Sequence, residues 1–291
     1  MVKKSFLFLL VIMSLFVLPL CAEDITTGWI EGQILLNNGT PMSQGMVVFF
    51  KANEGPVPDA HKYLRIPDSV ADLDEEGKFR VVLPMGKYFM GAIKRLSGEQ
   101  IGPPQDGDYF FNGRDETGAP IVYTIEKEKG LNVGVIAKAE PFKRTIYIGV
   151  SDLSGISGKI LDYRNDPIEG AIVFAYITKT MTGLPAFTSY SSEKDGRFII
   201  TMDKGRNYYL RVRDAYGGGP PLSGDVIGVY GENAPAVVPV KTGEMLEDIV
   251  INVTRHFERG PKAQQLKLGV DNRMREKIKK KTEESRKKNN Q

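Results

Sequence analysis

Two histidines, one cysteine and 36 Asp and Glu are the groups from which this 291-residue chain would have to build reaction chemistry. His61 lies in "HKYL" and His256 in "HFER", and neither falls in the H-x-x-E or H-E-x-x-H spacing that assembles a zinc site. His61, in a proline-bounded loop, reads as a solvated loop residue. A Ser or Cys nucleophile needs a neighbouring base, and two histidines so far apart in the chain offer little. There is no G-x-S-x-G, P-loop or dinucleotide fingerprint, and "GGGPP" at Gly217 lacks the Lys-Ser/Thr that completes a phosphate cradle. "DLDEEG", Asp72 to Gly77, has oxygen ligands suited to calcium. The twelfth position of an EF-hand loop would be Leu83, so an acidic β-turn is expected there instead. The sequence therefore predicts no catalytic, metal or cofactor residues.

Two long segments carry what remains, from Ser97 to Pro120 and from Asp214 to Pro235, and each contains G-P-P-x-x-G-D. They hold Tyr109, Phe110, Phe111, Tyr216 and Tyr230 beside Asp106, Asp108 and Asp225, a mixture that suits contact with sugars or protein surfaces. Segments of this length are either functional or disordered. The alternative is that the aromatics cap a core and G-P-P-x-x-G-D is a rigid turn.

These segments sit at equivalent places in a repeat. "WIEGQILLNNGTPMSQGMVVFF" aligns with "GISGKILDYRNDPIEGAIVFAY", matching Gly32 to Gly158 and Pro41 to Pro167. "DEEGKFRVVLPMGKYFM" aligns with "EKDGRFIITMDKGRNYYL", matching Gly77 to Gly196, Phe79 to Phe198 and Gly86 to Gly205, and "LNVGVIA" aligns with "DIVINVT". Short runs of Val, Ile, Phe and Tyr between Gly, Pro, Asn and Asp predict strands and turns, with a positive-φ glycine in "DEEGKF" and "EKDGRF". No long helical period occurs from Trp29 to Val253. The expected fold is all-β, two tandem antiparallel Greek-key-type β-sandwiches at 29–138 and 155–254, joined by a linker at 139–154.

Gly158, Pro167, Gly170, Ala171, Val173, Asp195, Gly196, Phe198 and Gly205 resemble the pattern of carboxypeptidase regulatory-like domains. The first unit matches more loosely, with Gln44-Gly45 where that family favours Gly-Ala. The resemblance implies a transthyretin-like sandwich and no catalysis of its own. "ETGAPIVY" from Glu116 and "ENAPAVV" from Glu232 also resemble the E-box of collagen-adhesin B-type domains, in which a buried Glu promotes a Lys–Asn isopeptide bond. That resemblance implies Lys159 and Asn252 as the pair in the second unit, whereas "EGQILL" in the first lacks the lysine.

The chain opens with Lys3 and Lys4 ahead of an apolar run from Phe6 to Leu18, a secretory leader too short to span a bilayer comfortably. Cleavage after Ala22 removes Cys21; the alternative is a lipoprotein leader that leaves Cys21 as a lipid anchor. A single cysteine permits no internal disulfide. The tail at 261–291 carries 11 Lys or Arg against 4 Asp or Glu and reads as a solvated or partly helical segment able to meet an anionic surface. The functional expectation is an exported, non-enzymatic binding or structural protein, periplasmic, cell-surface or secreted, that meets a cell-envelope protein or a glycan and no nucleic acid. The alternatives are a carbohydrate-binding module and an accessory subunit of an extracytoplasmic enzyme.

Overall fold

The structure, a computed structural model, describes residues 26–97, 102–144, 153–216 and 219–257. The leader, Cys21, and the basic tail lie outside the described residues. Sixteen strands are present and no helix among the described residues. The first unit holds β1 (Thr27–Leu36), β2 (Met46–Lys51), β3 (Ser69–Asp72), β4 (Lys78–Pro84), β5 (Gly86–Lys94), β6 (Tyr109–Phe111), β7 (Tyr123–Ile125) and β8 (Gly130–Pro141). The second holds β9 (Ser154–Leu161), β10 (Ile172–Tyr176), β11 (Phe187–Thr188), β12 (Arg197–Met202), β13 (Asn207–Arg213), β14 (Val226–Val229), β15 (Val238–Pro239) and β16 (Met245–Arg255).

Strand order is the same in both units. Each unit follows one hydrogen-bonded path, β3-β2-β5-β6-β8-β1-β4 and β11-β10-β13-β14-β16-β9-β12, with β7 on β5 and β15 on β13. The short β6–β8 and β14–β16 pairings join a small half, β4-β1-β8 or β12-β9-β16, to the larger sheet that faces it. Alternation turns one side of each strand inward: in β4, Phe79, Val81 and Leu83 are buried and the residues between them exposed. These side chains meet Ile30, Ile34, Phe49 and Met90 in the first core, while Ile156, Ile160, Val173, Ile200 and Leu210 build the second. Each such side chain contributes about 1.5–3 kcal/mol on burial.

The sheets are antiparallel except where the first and last strands of each unit meet. β1 runs parallel to β8, and β9 parallel to β16. A two-residue turn joins only antiparallel neighbours, whereas these two strands are linked through the whole unit, which leaves them free to pair in parallel. Their close passage explains the matched Gly32 and Gly158. A Cβ at Gly158 would lie 1.7 Å from the Ile249 carbonyl oxygen, and one at Gly32 would lie 2.5 Å from a Val133 methyl. Both glycines sit at breaks in the register of the parallel pair.

The second matched glycine behaves as its turn predicts. Gly77 has φ 74° and Gly196 φ 76°. Each carbonyl accepts from a core strand, from Ile34 N–H at 2.8 Å and Ile160 N–H at 2.9 Å. The acidic residues beside them are spent on the turn: Asp74 Oδ1 accepts from the N–H groups of Glu76 and Lys78, and Asp195 Oδ1 from that of Arg197. In "DLDEEG" the Asp74 carboxylate therefore acts as the turn acceptor, and Glu76 lies 3.6 Å from the Lys78 ammonium.

G-P-P-x-x-G-D is a staple that closes each unit. Gly107 and Gly224 lie in tight turns, and the following aspartates reach back three residues, Asp108 Oδ2 accepting from Gln105 N–H at 2.8 Å and Asp225 Oδ2 from Leu222 N–H at 2.7 Å. The Gly-Asp backbone exchanges two hydrogen bonds with the residue just past the final strand. Gly107 N–H donates to the Phe142 carbonyl and Phe142 N–H to Asp108; Gly224 N–H donates to His256 and His256 N–H to Asp225. An arginine stands beside each carboxylate, Arg95 at 3.8 Å from Asp108 and Arg213 at 3.9 Å from Asp225. The motif is written twice because each sandwich needs its last strand fastened to the hairpin beside it.

Candidate functional site

The two sandwiches are bound together by a strap, residues 52–68 between β2 and β3. Its turn is set by the Asp59 carbonyl, which accepts from Lys62 and Tyr63 N–H, and its side by Asp59 Oδ2, which pairs with Arg114 at 3.2 Å. The strap then leaves its own unit. Leu64 adds to the edge of β11, its carbonyl accepting from Thr188 N–H at 3.0 Å, and the Lys62 carbonyl accepts from Thr201 Oγ1 at 2.6 Å. Tyr63 enters the core of the second sandwich. Its ring meets Phe187 edge-on at 5.5 Å, and its hydroxyl donates to the Val57 carbonyl at 2.7 Å. Burial pushes its phenol pKa up to about 12.

On one side of the strap lies a cleft of about 490 Å³ walled by the outer faces of the two larger sheets. Val48, Phe50, Phe89 and Ile93 form an apolar cluster on the outside of β2 and β5, and Phe174, Tyr176 and Met181 form its counterpart on the second unit. These strands are thus apolar on both faces, one toward the core and one toward the cleft. Gly102, Pro103 and Pro104 of the first staple and Gly219 of the second border the same space. Arg65, Arg211 and Arg213 are its basic lining and Asp59 its acidic one. Burial lowers the Arg65 pKa and raises that of its neighbour Asp68.

On the other side is a more polar groove of about 400 Å³, lined by His61, Lys62, Arg144, Lys159, Arg197, Glu247 and Asp248 among others. The His61 ring stacks on Phe142 at 4.9 Å, and the Arg144 guanidinium lies 3.8 Å above the Tyr190 ring. Burial pushes the Tyr190 phenol up to about 12. Arg197 is already paired with Asp195 at 2.8 Å.

The eight contact residues expected from sequence divide between structure and cleft. The two segments expected as long loops in fact carry β6 and β14, because Tyr109–Phe111 and Val226–Val229 complete the larger sheets. Phe110, Phe111 and Tyr216 line the cleft. Phe111 does so from the edge of the first core, where it is 2% exposed, and the Tyr216 hydroxyl donates to the Ser189 carbonyl at 2.8 Å. Tyr109 and Tyr230 pack against the two cores, and Asp108 and Asp225 hold the staples. Asp106 is exposed and accepts from Arg144 N–H. Tyr63, Arg211 and Arg213 were missed. An unbroken apolar run such as "MVVFF" or "IVFAY" signals a strand covered on both faces, and that was the available clue to the cleft.

The isopeptide arrangement implied by the E-box resemblance is not formed. Lys159 and Asn252 are exposed on the outward side of their strands, and Glu116 and Glu232 are exposed as well. Without a buried carboxyl group between a buried lysine and asparagine, nothing drives that condensation.

No protein-family model matches the chain, and no curated protein matches its sequence. Among solved structures it is similar to the Bacillus anthracis TIE protein, at 13% identity over 79% of this chain with a TM-score of 0.24, and it spans 35% of that protein's length. It is also similar to the minor pilin GBS52 of Streptococcus agalactiae, at 13% identity over 80% of this chain and 99% of the pilin with a TM-score of 0.24. A third is a DUF3823 family protein from Parabacteroides merdae, at 12% identity over 75% of this chain and 99% of that one with a TM-score of 0.23.

Proposed function

We propose that this protein is an exported, non-catalytic binding protein whose ligand seat is the apolar cleft between its two sandwiches. The carrying observation is that cleft: concave, of ligand-sized volume, and walled by apolar faces from both units with strap residues between them. Ligand sites are typically apolar hollows of about 300–1,000 Å³ with a few fixed polar groups. The acidic residues nearest it serve as turn acceptors or ion-pair partners, which favours binding over acid–base chemistry. Export rests on the leader pattern, and the partner would be a component of the cell envelope or its surroundings. The sugar-binding alternative relied on aromatic rings offered to solvent, whereas Phe111 is buried and Tyr109 and Tyr230 pack on the cores.

Titration of the mature chain with the neutral apolar dye Nile red tests the reading. One saturable site per chain, lost when Val48→Trp fills the cleft, is the expected result. Absence of saturable binding, or binding indifferent to the filled cleft, refutes it. Sequencing the mature N-terminus after expression in a bacterial host tests export.

A further inference from the structure

The two walls of the cleft are built from equivalent strands but carry different residues. Tyr88 and Tyr208 are matched by geometry, each donating its hydroxyl to the carbonyl four residues earlier, Pro84 and Lys204. Cross-strand pairing keeps the match further along: Ala92 faces Phe111 as Val212 faces Gly228, and Ile93 faces Phe110 as Arg213 faces Ile227. Counting along β5 and β13 from the tyrosines, Gly91 and Ile93 occupy the positions taken in the second unit by Arg211 and Arg213. One wall is therefore apolar and glycine-opened, and the other carries two guanidinium groups.

The positive charge of that wall is incompletely answered. Asp59, the acidic lining residue, is paired with Arg114, and Arg65 has Asp68 at 4.0 Å and donates to the Pro56 carbonyl. Arg211 lies 5.4 Å from the Tyr176 ring and forms no ion pair among the described residues. Arg213 donates to the Gly219 carbonyl at 3.3 Å and stands 3.9 Å from Asp225, yet its Nε is buried with no hydrogen-bond partner among the described residues. A guanidinium nitrogen buried without a partner, as at Arg213, is costly until an acceptor meets it, and the half-buried Arg211 beside it adds a second positive charge that no ion pair among the described residues balances.

We propose that the cleft binds a single-chain amphiphile with one anionic head group. The apolar chain lies between Phe50 and Phe89 on one wall and Phe174 and Tyr176 on the other, and the head group, a carboxylate or phosphate, is met by Arg211 and Arg213. A sugar would leave its hydroxyls against aromatic walls, and a neutral lipid would leave both arginines unanswered. This assignment rests on the cleft being the ligand seat and names what fills it.

Competition against bound Nile red, with oleate and oleyl alcohol as probes, tests the assignment. Oleate is expected to displace the dye one-for-one and to bind at least about tenfold more tightly than oleyl alcohol, the size of one charge-assisted hydrogen bond. Arg211→Gln, which breaks no hydrogen bond within the described residues, should weaken oleate by about tenfold and leave oleyl alcohol unchanged. The double variant with Arg213→Gln should weaken oleate further, its folding checked by thermal midpoint. Should Val48→Trp fail to fold, Leu184→Trp at the exposed rim serves as the filling variant. Equal affinity for oleate and oleyl alcohol, indifference of oleate to Arg211→Gln, or displacement by an apolar peptide but not by oleate would each overturn the assignment. In all three cases Nile red still binds the wild-type cleft, whereas loss of dye binding itself strikes the underlying reading.

Discussion

Replacing Tyr63 with alanine should destabilise a domain to which Tyr63 does not belong in sequence. The residue is 9% exposed and lies in the core of the second sandwich. A buried aromatic covers about 150–250 Å², and at about 25 cal/mol per Å² that amounts to roughly 4–6 kcal/mol as an upper figure. Measured truncations of buried aromatics to alanine cost about 3–5 kcal/mol. Loss of the hydroxyl bond to Val57 is included in that figure, and Tyr63→Phe, which loses only the bond, should cost about 1 kcal/mol. Two probes separate the units. Trp29, the chain's single tryptophan, lies in β1 and reports the first sandwich, while amide exchange in β10 and β13 reports the second. Tyr63→Ala is expected to speed exchange in β10 and β13 by more than about a hundredfold, since each 1.4 kcal/mol is tenfold. Unchanged protection in those strands, with a shift confined to the Trp29 signal, would refute the plug.

The staples should differ in strength. The Asp108 side chain is 3% exposed and accepts from Leu96 and Gln105 beside Arg95, so Asp108→Ala should cost about 3–5 kcal/mol in urea unfolding. Asp225, 26% exposed, should cost only about 1–2 kcal/mol on the same change. Gly196→Ala places a Cβ at positive φ and 2.5 Å from the Ile160 carbonyl oxygen, and the thermal midpoint should fall by several degrees; an unchanged midpoint would contradict the turn. Burial raises the phenol pKa values of Tyr63, Tyr190 and Tyr208 to about 12 from 10.0. Because the folded values lie above the unfolded one, the stability these neutral phenols contribute is complete below pH 10 and is lost as pH rises toward about 12. Stability measured across that window should decline, and the decline should shrink in Tyr63→Phe.

The strands, the positive-φ glycines and the pairing of the repeats were legible because each is a local consequence of residue type. Gly77 and Gly196 could be assigned from their turns alone, and β4 from its alternation. Long-range partners were not legible. Asp108 reads the same in sequence whether it faces solvent or closes a staple, and only the fold brings Leu96 and Arg95 to it. Tyr63 lies in a proline-bounded stretch that carries no strand period, and its burial is decided by the neighbouring sandwich. Arg211 and Arg213 alternate with buried Leu210 and Val212, which in a lone sheet marks a solvated face. A second sandwich beside that face turns it into a cleft wall.

A crystal structure of the mature chain with a bromine-labelled fatty acid tests the central claim most directly. The account predicts an anomalous bromine peak between Phe50 and Phe174, with the acidic group toward Arg211 and Arg213. A peak elsewhere on the surface, or a cleft closed by its own side chains with no bromine in it, would contradict the account.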